Sequence, residues 1–256
     1  TSPERVYRLE QRPWLLSAEA LADEALRRVR APRAAVEATR RERPRWRQAD
    51  GVLEVETPTL RLTLAEEAGG CLVSLRGRDG GERLAAPGND LIAYEDSGGL
   101  WRMGHEYLGG RFRPRERAST GRARLSAREV DGTLEVTARS ALRGRAFVRR
   151  LRIEAAETPL RMHAEGTAPP GCTVTCRWPT ISGANALTMD VPGGVVTRPW
   201  RKLYEPTFWP ARHFAAMEAP EGWTLTVFLG GPACVGLSHP GVLEWVVARH
   251  PTFERA

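Results

Sequence analysis

From Gly51 onward, apolar and polar residues alternate with a period of two, the pattern of half-buried β-strands. Residues 52–56 and 60–64 alternate in this way, with Thr57-Pro58 between them. Residues 71–75 form another short run, followed by the turn cluster Gly77-Arg78-Asp79-Gly80-Gly81. The same reading predicts strands at 91–94, 123–127, 134–138, 147–155, 160–165, 173–178, 225–229 and 242–247. Asp131-Gly132 lies between two of them and reads as a hairpin turn. No helical stretch of ten residues stands out after residue 50. Many short strands, punctuated by Gly and Pro, predict a mainly β fold: a large antiparallel β-sandwich.

Residues 9–46 follow a different period. Ser17 can cap a helix, with Glu19 in its first turn. Ala18, Leu21, Ala22, Ala25, Leu26 and Val29 recur at helical spacing, and Pro32 marks the end. Residues 34–43 fit a second, Arg-rich helix, and the charged run up to Asp50 reads as a linker. The expected organisation is therefore a helical N-terminal segment and linker over 1–50 and a β-sandwich domain over 51–256.

Composition changes this picture little. The chain has 256 residues, of which 41% are hydrophobic and 27% charged, an ordinary globular balance. No apolar run approaches the ~18–20 residues that span a membrane. The start, Thr1-Ser2-Pro3-Glu4-Arg5, lacks the layout of a signal peptide, so a cytoplasmic chain is expected unless a leader has been removed. The net charge of +7 would suit a polyanion, but Lys202 is the only lysine among the 38 basic residues. Arginine standing everywhere, even on ordinary strand faces, points to a high-GC genome. The densest basic stretch, Arg40-Arg41-Glu42-Arg43-Pro44-Arg45-Trp46-Arg47, carries an acid and a proline, and reads as a solvated face rather than a nucleic-acid site. The four cysteines, Cys71, Cys172, Cys176 and Cys234, show no framework spacing and are expected to be buried free thiols.

Candidate chemistry lies in two long stretches with few strand signals, 98–114 and 190–214. Both are rich in Trp, Arg, Tyr and His. In Trp101-Arg102-Met103-Gly104-His105-Glu106-Tyr107 the aromatic rings offer faces that stack on sugars, and Arg, His and Glu can bond to hydroxyls. The run from Tyr204 to Phe214 has the same chemistry, stiffened by Pro199, Pro206 and Pro210. Packing on a sheet edge or another domain is the competing reading for both. The expected carbohydrate-binding residues are Trp101, Arg102, His105, Glu106, Tyr204, Trp209, Arg212 and His213, with the two tryptophans lining a common surface.

Other constellations are weaker. His163-Ala164-Glu165 followed by Cys172 and Cys176 approaches a zinc-deaminase pattern but fails on spacing. On one strand those cysteines stand ~13 Å apart, too far for one ion. Arg161, His163 and Glu165 alternate on one strand face, as an acid–base pair or a half-solvated sheet face would. Phosphate-loop, dinucleotide-binding, nucleophile-elbow and His-Glu-x-x-His patterns are absent.

One stretch carries a family likeness. Val52-Leu53-Glu54-Val55-Glu56, then Leu60-Arg61-Leu62, then Cys71-Leu72-Val73-Ser74-Leu75-Arg76, lead to Gly88-Asn89-Asp90-Leu91-Ile92-Ala93-Tyr94-Glu95-Asp96 and Trp101. The order resembles the C-terminal β domain of glycoside hydrolase family 38, the α-mannosidases, over about residues 51–250. The resemblance implies a supersandwich related to galactose mutarotase and several polysaccharide lyases. It also implies that the zinc ligands and carboxylate nucleophile belong to a separate catalytic domain. The family's His-x-Asp metal motif is missing here, and the chain stops before the expected closing strands, as an internal or truncated piece or a stand-alone relative would.

On this resemblance the chain is expected to hold no catalytic residue, metal or cofactor. Its partners are then carbohydrate and a hydrolase catalytic domain in the same or another chain, with no nucleic acid and no membrane. A mutarotase-like epimerase using a His/Glu acid–base pair is the alternative, and a structural or interaction domain the second alternative.

Overall fold

The computed structural model describes residues 43–99, 102–154, 160–200 and 206–251. The helices expected within 9–46 fall almost entirely outside these residues. In chain order the strands are β1 (Arg45–Ala49), β2 (Val52–Glu56), β3 (Leu60–Ala65), β4 (Cys71–Gly77), β5 (Asp90–Asp96) and β6 (Phe112–Arg117). Then follow β7 (Arg124–Val130), β8 (Thr133–Leu142), β9 (Arg145–Glu154), β10 (Arg161–Gly166), β11 (Cys172–Pro179) and β12 (Ala186–Val191). The last are β13 (Gly194–Pro199), β14 (Trp209–Ala211), β15 (Phe214–Glu218), β16 (Thr224–Phe228), β17 (Ala233–His239) and β18 (Val242–His250).

They form four antiparallel sheets. The N-terminal sheet runs β1-β2-β3-β4, and the arginine-rich sheet runs β10-β9-β8-β7. The central sheet has the order β14-β17-β18-β11-β5-β6, and the lateral sheet β13-β12-β15-β16. Each sends alternate side chains into one shared core: Leu53 and Leu64, Leu134 and Leu151, Leu91 and Val174, Met189 and Met217. The expected mainly β sandwich is present.

The structure corrects the linker reading. Arg45–Ala49 is a strand, paired along its whole length with β2. All five of its side chains are exposed, so no alternation marked it. Backbone pairing and the turn at Asp50-Gly51, both at positive φ, make it a hairpin edge. Asp131-Gly132 turns in the same way between β7 and β8, as expected. The stretch 190–214 is also less irregular than its composition suggested, because β13 and β14 lie within it. Three cysteines are buried and free, whereas Cys234 is exposed. Burial pushes the Cys71 thiol up to about 11 against the pull of Arg149, so it stays protonated.

One charged residue crosses the core. Arg149 lies on the inward phase of β9, 2% exposed, between Phe147 and Leu151. Its guanidinium donates to the carbonyl oxygens of Gly69 and Asn89 and to Cys71 Sγ, tying the arginine-rich sheet to the turns before β4 and β5.

Candidate carbohydrate-binding surface

The central sheet has a second face that does not join the shared core. In β5, Leu91 and Ala93 point to the core, while Ile92 and Tyr94 point the other way. Ile92, Tyr94, Met103 and Phe112 form a separate cluster there, with Phe208 and Val246 packed on it. Tyr94 stacks on Phe112 at 4.5 Å, His105 leans on Phe112 at 4.4 Å, and Phe208 meets it edge-on at 6.3 Å. The two stretches singled out by composition therefore do meet, through 102–112 and 206–208.

Asp96, at the end of β5, anchors the first of these stretches. Its Oδ1 accepts the backbone N–H groups of Gly98 (2.9 Å) and Gly104 (2.8 Å). Its Oδ2 accepts the Thr173 hydroxyl (2.6 Å) and Arg249 Nε (2.8 Å). Burial pushes the Asp96 carboxyl up, but these donors, led by Arg249, outweigh it and hold it below the usual range. The backbone is drawn in so tightly that a Cβ at Gly104 would sit 1.8 Å from the Arg111 carbonyl oxygen.

The loop's own side chains tighten it further. Glu106 Oε2 accepts the Met103 N–H at 3.0 Å across a single 3-10 turn over Gly104–Glu106. The Tyr107 hydroxyl donates to the Ser97 carbonyl at 2.6 Å, and the Arg102 guanidinium sits 5.7 Å above the Tyr107 ring. Arg249 Nη2 donates to the Arg102 carbonyl at 2.6 Å. His105 is half-buried, and burial lowers its pKa against the Pro206 backbone and the nearby carboxylates. Arg102 and Tyr107 remain exposed at the rim.

Within the central sheet, on β18, lies a fully buried carboxylate, Glu244. Thr175 Oγ1 donates to its Oε1 at 2.6 Å, and Arg177 stands directly across the ladder. Burial raises its pKa, partly offset by the hydroxyls of Thr175, Ser238 and Tyr94. The Tyr94 and Ser238 hydroxyls favour its charge, yet neither meets Oε2 in hydrogen-bond geometry, and that atom has no partner among the described residues. Burial and the Glu244 charge in turn push the Tyr94 phenol well above its ordinary range.

The expected site residues thus divide. Arg102, His105 and Glu106 gather over the second face of the central sheet, beside Pro206–Phe208. Trp209, one residue on, points to the opposite side, as strand alternation requires. It packs against the shared core, with the Arg198 guanidinium 4.0 Å over its ring. The crevice it lines with Leu187, Trp200 and Leu237 holds about 20 Å3, room for a water and not a sugar.

Arg212 and His213 sit by the lateral sheet. There Asp190 accepts the His213 and Phe214 N–H groups and pairs with His213 Nδ1 at 2.7 Å. Burial works against the Asp190 charge, but these donors outweigh it and lower its pKa. Trp101 and Tyr204 lie outside the described residues, so the surface expected between Trp101 and Trp209 has only its second member in view.

Tyr107 and Phe208 belong to the surface, Tyr94, Thr175 and Glu244 are buried under it, and none of them was among the expected residues. The signal for Glu244 is in the sequence: it interrupts the apolar run Val242-Leu243-Glu244-Trp245-Val246-Val247.

Among solved structures, an α-mannosidase from Enterococcus faecalis V583 matches with a TM-score of 0.62 at 12% identity, over 77% of this chain and 25% of that one. A protein in glycosyl hydrolase family 38 from Enterococcus faecalis matches with a TM-score of 0.57 at 11% identity, over 77% of this chain and 26% of that one. The chain has the fold of part of these two proteins. It spans about a quarter of their length. No protein-family model and no curated protein sequence matches it.

In the stretch that carried the sequence resemblance, residues 89–96 hold the fold together. The Asn89 carbonyl receives Arg149, and its Oδ1 receives the Cys176 thiol at 3.4 Å. Asp90 holds Ser119 through its N–H and hydroxyl. Glu95 pairs with Arg111 and Arg115 of the returning chain. Tyr94 and Asp96 build the surface described above. Among the described residues, no three His, Cys, Asp or Glu side chains gather as a metal site would need.

Proposed function

We propose that the chain is a non-catalytic, carbohydrate-associated β-sandwich domain of an α-mannosidase-like glycoside hydrolase. The observation that carries this reading is the fold likeness, which takes in 77% of the chain and only a quarter of each hydrolase. The catalytic zinc and nucleophile then belong to a separate domain, in the same or another chain. The surface over the central sheet supports the reading through its chemistry. Asp96 and Glu106 are committed to holding backbone, while Arg102 and Tyr107 present donors and an aromatic face at the rim. That division suits a rigid platform that borders a sugar, not one that moves its protons.

Amide hydrogen exchange with and without an α-linked manno-oligosaccharide tests it. Added sugar is expected to slow exchange over 97–111 and 206–208, with Tyr107→Ala weakening the effect about fivefold or more, since a lost stacking face removes ~1–3 kcal/mol of apolar burial. Protection confined to other strands, or none at saturating sugar, would overturn this role for the surface.

A further inference from the structure

The outer face of the arginine-rich sheet is not used by the proposed surface, and its charge is arranged unusually. Leu125, Val136, Leu151 and Ile153 turn inward from β7, β8 and β9, so the residues between them form one exposed face. Across the strands, Arg128, Glu135, Arg152 and Arg161 stand in one row. Ser126, Thr137, Arg150 and His163 make the next, and Arg124, Arg139, Val148 and Glu165 the third. All six arginines of these rows are exposed.

Two pairs put like charges directly opposite, Arg124 with Arg139 and Arg152 with Arg161, an arrangement that costs a sheet stability. The glutamates compensate only in part. Glu135 is shared between Arg128 at 2.7 Å and Arg152 at 3.5 Å, Glu165 pairs with Arg150 at 2.9 Å, and Glu154 reaches Arg161 at 3.8 Å, so three carboxylates face six guanidinium groups. A shallow concavity of about 480 Å3 lies over this face, large enough for two or three small rings' worth of ligand by the ~300–1,000 Å3 scale of ligand sites. Ser126 and Thr137 are the small polar side chains lining it, alongside Arg128, Arg139, Arg150 and Arg152.

We infer that this face binds an anionic saccharide, one carrying carboxylate or sulfate groups, separately from the surface over the central sheet. Guanidinium forks match the paired oxygens of such groups, and Ser126, Thr137 and Glu135 can bond to ring hydroxyls. A nucleic acid fits less well. The lining has no Trp, Tyr or Phe and a single imidazole, His163, so it offers no row of rings on which successive bases could stack, and Glu135 within it and Glu165 beside it interrupt the field a phosphate backbone would follow. The choice of a saccharide rests on the carbohydrate reading above, whereas the anion preference rests on this face alone.

Calorimetric titration of the purified chain at low salt, with a galacturonate hexamer, a heparin-derived hexasaccharide, a neutral manno-oligosaccharide and a single-stranded oligonucleotide, separates the possibilities. One or both anionic sugars are expected to bind, and which one binds distinguishes carboxylate from sulfate. The double variant R139Q/R152Q should weaken that binding at least ~10-fold and flatten its salt dependence. Arg47→Gln, on the N-terminal sheet, should leave it unchanged. All three positions are exposed, and an unaltered thermal midpoint establishes that each variant is folded.

The inference is overturned if neither anionic sugar binds, if R139Q/R152Q binds as the parent does, or if the oligonucleotide binds as tightly. These outcomes do not touch the mannoside footprint on residues 97–111, so the two readings fail independently.

Discussion

Replacing Arg149 by methionine is expected to lower stability by about 3–5 kcal/mol, the largest effect of any single substitution proposed for this chain. Methionine has similar bulk, so the loss comes from polar groups rather than from a cavity. The Gly69 and Asn89 carbonyl oxygens would each lose a charged donor inside the core, and an unsatisfied buried acceptor costs about 1–3 kcal/mol. A buried ion pair can sometimes be exchanged for apolar residues at no cost, but only when both partners are replaced. Here the partners are backbone carbonyls that no substitution removes. Urea unfolding of Arg149→Met beside Arg150→Met checks the point. Arg150 is the next residue along β9, exposed on the outer face, and its change should stay within about 0.5 kcal/mol. Equal midpoints for the two variants would mean that the clamp through the core contributes nothing.

Asp96→Ala is expected to cost about 2–4 kcal/mol and to loosen residues 97–111. Four donors converge on this one carboxylate, and removing it leaves the Gly98 and Gly104 N–H groups and the Arg249 guanidinium without their acceptor at Asp96. Arg249 keeps its bond to the Arg102 carbonyl, so the loop should stay tethered at one point while the turn opens. Amide exchange at Gly98 and Gly104 should rise toward the unprotected rate.

The pH dependence has a definite sign. The Asp96 carboxyl is held below the usual range in the folded chain, so it binds its proton more weakly there than in the unfolded chain. Its stabilisation is fully present above the unfolded value of about 4 and is lost as pH falls through the lower folded value. The difference in stability between parent and Asp96→Ala should therefore shrink on acidification below about pH 4. A difference that stays constant down to pH 2 would contradict the assignment of this carboxylate as the charged anchor.

The sequence made the fold legible wherever one strand face meets the core and the other meets water. β2, β3, β8 and β9 alternate cleanly and fall within a residue or a few of where their period places them. β1 and β6 escaped because neither sends an alternating apolar phase into the core: every residue of β1 is exposed, Trp46 and Ala49 included, and four of the six residues of β6 are charged. β14 is three residues long and is defined by its pairing with β17, which is not a local property.

The surface was legible in part. Loop composition located 102–107, but whether Phe208 or Trp209 would face that loop depends on strand phase. The informative positions were polar residues in the apolar phase of a strand: Arg149 between Phe147 and Leu151, and Glu244 within its valine-rich run. Alternation marks these as buried charges that something must satisfy, and the structure places backbone carbonyls around the first and hydroxyls around the second.

The proposal that the chain borders a glycoside-hydrolase site without containing one is tested most directly by turnover. The purified chain is incubated with an aryl α-mannoside, with and without added zinc, and bound metal is measured after dialysis. The expected result is no hydrolysis above the buffer rate under either condition and no stoichiometric zinc, because mannosidase chemistry of this type needs a nucleophile, an acid/base carboxyl group and a metal gripping the sugar in one place. Turnover that a chelator abolishes, or one zinc retained per chain, would contradict the account and place a complete active site within these residues.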